Sequence, residues 1–189
     1  AGSGGNGPPR IGFLGGDSPM NRDGLEWLLD QVWPAIHRLG AELHVAGEVC
    51  AAIPPGRDGV VAHGAVASPA AFLARLDIAV NPVFYGGGLK IKTVEYLCHG
   101  LPSVLTAEAL YGIAGGAGEA YALAEDRAGF IAELAGLVLD PARRARMGEA
   151  AFAFGRRNFG PPALAPALRT IAQLARGVAR PEPLRASAG

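Results

Sequence analysis

Three consecutive glycines run into the only two lysines of the chain, in the segment Gly86-Gly87-Gly88-Leu89-Lys90-Ile91-Lys92-Thr93-Val94-Glu95. Every other basic side chain is arginine, scattered along the sequence. The apolar run Asp77-Ile78-Ala79-Val80-Asn81-Pro82 before the glycines reads as a short buried strand, and Leu89 to Cys98 after them reads as a helix. A glycine-rich turn between a strand and a helix gathers backbone N–H groups at the positive end of a helix dipole, which suits an anion and most often a phosphate. Lys90, expected in the first helical turn, is the candidate cation for that charge. An ammonium about 4 Å from a phosphate charge gains on the order of 4 kcal/mol at an effective dielectric of 20, before desolvation. Glu95, farther along the same helix, can accept two hydrogen bonds from vicinal hydroxyls such as those of a ribose. The competing reading is that Lys92 and Glu95 form a solvated i,i+3 pair worth a few tenths of a kcal/mol.

Two common phosphate fingerprints are absent. A P-loop needs Gly-Lys followed by Ser or Thr, but Leu89 separates Gly88 from Lys90 and Ile91 follows. The first strand's turn reads Leu14-Gly15-Gly16-Asp17-Ser18, which lacks the GxGxxG dinucleotide pattern. Gly15 and Gly16 remain candidate ligand contacts because they close a strand.

The elements that must position these loops alternate between short apolar runs and amphipathic stretches, the pattern of a parallel sheet covered on both faces. Strands are expected at Arg10 to Leu14, Glu42 to Ala46, Val60 to His63, Asp77 to Pro82, Ser103 to Thr106 and Ala120 to Ala124. Leu25, Leu28, Leu29, Val32, Trp33 and Ile36 recur at helical spacing from about Asp23 to Leu39, where Pro34 predicts a kink or an early end. Ser68-Pro69 has the form of an N-cap followed by proline and opens a short helix to about Arg75. Further helices are expected over Arg127 to Leu139, Pro141 to Phe152 and about Pro162 to Arg176. The result is a doubly wound, Rossmann-like α/β fold, whose ligands bind outside the carboxyl ends of the strands. The glycine clusters fall at such ends. The expected division is a flexible segment over 1–9, a folded domain over 10–160, a C-terminal helix over 161–178 and a flexible tail over 179–189.

The formal net charge is zero, so no broad field favours nucleic acid or an anionic membrane. No apolar run approaches the ~20 residues of a membrane span, and the start lacks the form of a signal peptide. A cytoplasmic protein is the expectation, and the alanine start in a Gly/Ser-rich segment suggests an excised piece of something longer. Cys50 and Cys98 lack metal-ligand spacing and read as neutral thiols. His37 and His44 read as structural, with no acid at catalytic spacing. His63, at a strand's end, is the candidate neighbour of a nucleotide base, and His99 precedes the helix-stopping Gly100. Arg143, Arg144 and Arg146 read as a solvated face, and Tyr111 either lines the pocket or packs.

At the glycine loop a family resemblance appears. Asn81-Pro82-Val83-Phe84-Tyr85-Gly86-Gly87-Gly88-Leu89-Lys90-Ile91-Lys92-Thr93-Val94-Glu95, followed by Gly100-Leu101-Pro102-Ser103-Val104, resembles the donor-domain signature of retaining GT-B glycosyltransferases of the family 4 type (glycosyl transferases group 1). Pro19 to Val32, His63 to Val66, Phe72 to Val83, Thr106 to Gly112, Leu123 to Asp126 and the Asp140-Pro141 helix pair also resemble it, so the likeness covers about residues 10 to 160.

The resemblance implies one half of a GT-B fold that binds a nucleotide-diphosphate sugar, with transfer to an acceptor on an N-terminal domain of the same polypeptide. It implies that Glu95 bonds the ribose, that Gly86, Gly87, Gly88, Leu89 and Lys90 hold the diphosphate, and that Arg22 replaces a phosphate-binding cation. Lys90 would then stabilise charge on the leaving group, with no cofactor and no metal in this domain. Many members carry a second Glu where this chain has Gly87. The full-length protein would be a hexosyltransferase, and this domain alone would catalyse little. A non-catalytic GT-B-like module for partner recognition and a sugar-nucleotide epimerase-like domain are the alternatives.

Overall fold

The computed structural model describes residues 7–161 together with 163, 165, 169 and 170. The last expected helix and the two end segments lie wholly or largely outside these residues. Six strands form one parallel sheet in the order β3-β2-β1-β4-β5-β6, from β1 (Arg10–Leu14), β2 (Glu42–Ala46), β3 (Val60–Ala62), β4 (Ile78–Asn81), β5 (Ser103–Leu105) and β6 (Ala122–Leu123). This is the doubly wound order, with its topological switch point between β1 and β4.

Side-chain alternation along the strands builds the two faces. Ile11, Phe13, Leu43, Val45, Ile78 and Val80 are fully buried on one face. There they meet α1 (Pro19–Trp27), α2 (Trp33–His37) and α5 (Arg127–Leu139). Ala46 and Ala79 face the other way with Leu73, Leu76, Tyr96 and Leu101, under α3 (Pro69–Leu73) and α4 (Ile91–Cys98). Gly12 belongs to that second face, and a Cβ there would lie 2.0 Å from Leu76 Cδ1. Outside α4 lies α6 (Pro141–Phe159), seven residues longer at its C-terminus than the periodicity predicts, with Gly155 against the backbone of Leu97 and Cys98.

The first helix differs from its expected form. It starts at Pro19, not near Asp23, because Ser18 caps it by accepting a hydrogen bond from the Asn21 N–H at 3.4 Å. That is the same Ser-Pro combination that opens α3. Proline at 34 has no N–H to give, and the chain accommodates it with a π-helical turn over Leu28–Val32, where the Trp33 N–H reaches back to the Leu28 carbonyl. The turn keeps Leu28, Leu29, Val32 and Ile36 in the core. Helix α4 begins at Ile91, so Lys90 is its extended N-cap residue (φ −81°, ψ 93°) and lies just before the first turn expected to contain it.

Candidate functional site

Three loops meet beyond the carboxyl ends of the strands: Gly15 to Ser18 after β1, Pro82 to Lys90 after β4, and Thr106 to Gly112 after β5. Buried polar side chains tie them together. Asn81 Nδ2 donates to Thr93 Oγ1 at 3.0 Å, and the Thr93 hydroxyl donates to the Ala109 carbonyl at 2.8 Å. Thr106 Oγ1 donates to the Val83 carbonyl. The start of the β4 loop rests on α1, where a Cβ on Gly24 would lie 2.5 Å from the Pro82 oxygen. Phe84 packs edge-on against Trp27 with centroids 4.9 Å apart, and Tyr85 Oη donates to Asp23 Oδ2 at 2.6 Å.

Beyond these anchors the tip, Gly86 to Leu89, is exposed. Gly86 (φ +119°) and Gly88 (φ +74°) occupy the left-handed region. None of the backbone N–H groups from Gly86 to Lys90 donates to an acceptor among the described residues. Consecutive uncommitted amides, with glycines setting the alternating backbone, form the kind of concavity that takes an anion.

Gly87 differs from its neighbours. Its φ is not positive, and nothing lies within 4 Å of a Cβ built there. Gly87→Ala should therefore leave stability within about 0.5 kcal/mol. Gly88→Ala should lose about 1–2 kcal/mol to left-handed strain, with no steric clash to add. Urea denaturation of the two variants checks this, and equal losses would contradict it.

The two lysines part company. Lys90 is buried, and its Nζ sits 2.7 Å from Glu108 Oε1, with the Gly87 and Gly88 carbonyls at 3.5 Å and the Tyr111 ring centroid at 5.9 Å. Its charge is already balanced, and its contacts shape the glycine loop. Lys92 crosses instead to the β1 side: its Nζ is 2.5 Å from Asn21 Oδ1 and 4.4 Å from the centre of the Phe13 ring. It forms no ion pair among the described residues. Burial, with a smaller contribution from Lys90, lowers its ammonium from the usual 10.5 to about 7. The i,i+3 pair with Glu95 does not form. The half-buried Glu95 carboxylate has no hydrogen-bond or ion-pair partner among the described residues, and the Glu95 carbonyl accepts from the His99 N–H at 2.9 Å.

The other expected ligand residues fare differently. The Gly15 N–H continues the sheet ladder to the Ala46 carbonyl at 2.9 Å and is not free for a ligand. Gly16 accepts a hydrogen bond from Asn21 Nδ2 at 3.0 Å, while its own N–H is uncommitted among the described residues. Arg22 pairs with Asp17 at 2.7 Å on the surface. Leu89 packs on Gly112, tying the β4 and β5 loops.

His63 belongs to a separate groove on the α3 side of β2 and β3, a cavity of about 370 Å³ that includes Arg10, His44, Phe72 and Arg75. Its Nε2 shares a hydrogen bond with His44 Nδ1 at 3.0 Å, the rings stacked. Desolvation, then His44 and Arg75, holds the His63 imidazolium below its ordinary range. His44 does have a nearby acid, contrary to the reading from spacing alone: Glu42 Oε2 lies 3.3 Å from its Nε2 because residues two apart on a strand share a face. His37, by contrast, bonds the Ala41 carbonyl. Arg144 Nη1 bonds the Leu137 and Val138 carbonyls at the end of α5, so it is not a purely solvated side chain. Both cysteines are free thiols.

Sequence reasoning passed over Asn21 and Glu108 and set Lys92 beside Glu95 rather than beside Asn21. Lysine scarcity singled out Lys92 as well as Lys90, but the contacts that distinguish them come from residues 18 and 71 positions away in sequence, Glu108 and Asn21.

Residues 8–140 match the family model described as glycosyl transferases group 1. No curated protein sequence is significantly similar to the chain. Among solved structures, TarM of S. aureus superposes with a TM-score of 0.70 at 15% identity, over 85% of this chain and 34% of that one. Anabaena HepE in complex with UDP and glucose gives 0.68 at 15% identity, over 90% and 49%. Sucrose-phosphate synthase from Thermosynechococcus elongatus gives 0.68 at 17% identity, over 91% and 46%. The chain thus spans between a third and a half of the length of these structures.

Proposed function

The chain belongs to the group 1 glycosyl transferases, and from that premise we propose that it binds the nucleotide-diphosphate-sugar donor of a hexosyl transfer. The observation that carries this reading is the run of uncommitted amides from Gly86 to Lys90 at the sheet's switch point, directly before α4. Those amides and the positive end of α4 would hold the diphosphate and stabilise the charge that develops on it as the glycosidic bond breaks. The Glu95 carboxylate, one turn into α4 and without a partner among the described residues, would take the ribose hydroxyls. Lys90, fixed by Glu108, is a positioning residue that keeps the glycine tip in shape.

An acceptor would come from a second domain of the same polypeptide. Phe84, Leu89, Ile91 and Tyr111 are exposed around the loop tip, and closure of a second domain over them would exclude water from the reacting centre. Without that closure the chain should bind nucleotide and transfer little sugar.

Calorimetric titration with UDP, GDP and ADP tests the reading. At least one should bind, and its 2′-deoxy counterpart should bind about tenfold more weakly, the worth of one hydrogen bond to a charged group. In Glu95→Ala that preference for ribose should vanish. A preference that survives the substitution removes Glu95 from the ribose.

A further inference from the structure

We propose that Lys92 is the cation that takes the donor's diphosphate, its ammonium turning from Asn21 to the phosphate oxygens as the nucleotide seats on the loop amides. The proposal rests on the donor-binding reading above and assigns the charge within that site. Its basis is the unequal treatment of two lysines two residues apart. Lys90 has its carboxylate in Glu108. Lys92 is drawn into the cleft between α4 and the start of α1, where its partners are a neutral amide oxygen and the Phe13 ring, with no carboxylate pairing it among the described residues. A fold that buries an ammonium without a counter-charge bears a desolvation cost that a bound anion would offset.

The direction of the side chain agrees. Lys92 is the second residue of α4, and helical side chains lean toward the N-terminus, which here is the end bearing the free amides of Gly86 to Lys90. Asn21 is itself fixed by its bond from Nδ2 to the Gly16 carbonyl, so its Oδ1 offers a resting place at the floor of the cleft. Phe13 closes the bottom of that floor.

The surrounding charges leave the role open to a ligand. From α4 and its cap, Glu95 makes no ion pair among the described residues and Lys90 adds repulsion. From the loop after β1 and the start of α1, Asp17 and Arg22 neutralise each other. Glu48, from the turn after β2, turns to the Asp17 N–H at 3.5 Å. From the loop after β5, Glu108 is committed to Lys90. Among the described residues no carboxylate pairs with Lys92. With burial holding the free amine near neutrality, an arriving diphosphate would restore the ammonium. Binding above pH 7 would therefore take up a proton, and affinity would fall as pH rises.

The 189-residue chain is titrated with UDP, GDP and ADP at pH 6.5 and 8.5, in two buffers of different ionisation enthalpy. The expected results are proton uptake at pH 8.5, at least tenfold weaker binding in Lys92→Met at pH 6.5, and no uptake in that variant. Lys92→Arg, which keeps a permanent charge, should bind at both pH values without proton uptake. A melting curve confirms that each variant is folded. If the diphosphates bind Lys92→Met as tightly as the unmodified chain, with the same proton uptake, Lys92 is not the phosphate cation and the donor-binding reading stands without it. If no nucleotide binds the unmodified chain at millimolar concentration, the donor-binding reading itself falls, and this assignment with it.

Discussion

Gly47→Ala should cost the fold about 3 kcal/mol or more, the largest loss expected from adding a single methyl group beside the site. Gly47 follows β2 with φ +99°, and a Cβ there would stand 2.1 Å from the Gly15 carbonyl oxygen. Left-handed strain of about 1–2 kcal/mol adds to an overpacking cost of about 1–3 kcal/mol. Neither partner can yield cheaply. The Gly15 carbonyl accepts from the Val49 N–H, its N–H donates to Ala46, and the Gly47 N–H donates to Gly64. Gly64→Ala separates the two contributions, since Gly64 has φ +63° with nothing within 4 Å of a built Cβ. In urea denaturation Gly47→Ala should lose at least twice as much as Gly64→Ala. Equal losses would mean that the loops after β1 and β2 do not hold each other as described.

Stability should also rise as the pH is raised from 7 toward 9.5, against the common flat profile above neutrality. The Lys92 ammonium falls to about 7 in the folded chain from an ordinary 10.5. Across that window the unfolded chain therefore holds more protons than the folded one, and unfolding becomes less favourable as protons are withdrawn. Each pH unit is worth at most about 1.4 kcal/mol, less whatever relaxation and water access recover. Below pH 7 both states carry the charge, and the folded state bears its full desolvation cost. Above about pH 10 the trend should reverse, because burial keeps the Tyr96 phenol protonated while it ionises in the unfolded chain. Urea midpoints at pH 7, 8 and 9 read the slope. Lys92→Met should flatten it and raise the midpoint at pH 7, whereas an unchanged slope in that variant would place its origin elsewhere.

The sheet was legible because the strands are short apolar runs, the first four of them closed by Gly15, Gly47, Gly64 and Pro82, and that punctuation is local. All six strands lie within the expected spans, each trimmed by at most a few residues. The glycine-lysine segment was legible for a different reason: a chain with two lysines concentrates its amine chemistry in one place. What sequence could not rank was which lysine has a carboxylate for a partner. Lys90 and Lys92 differ by one partner each, Glu108 and Asn21, and both partners arrive through tertiary packing. The early start of α1 was readable from Ser18-Pro19, but the apolar periodicity that begins at Leu25 drew the boundary inward. Gly15 shows the opposite failure, since a glycine at a strand's end can be required by a neighbouring backbone rather than by a ligand.

Position 87 sits in the exposed tip of the loop after β4, yet its backbone places no demand on the residue there and no atom crowds it. The fold is therefore indifferent to the side chain at this position. Side chains could be exchanged at that point without passing through unfolded intermediates, so under the proposed donor-binding reading a change of sugar preference there would follow a nearly neutral path. A library randomised at 87 should return mostly folded proteins, while one randomised at 86 or 88 should return mostly destabilised ones.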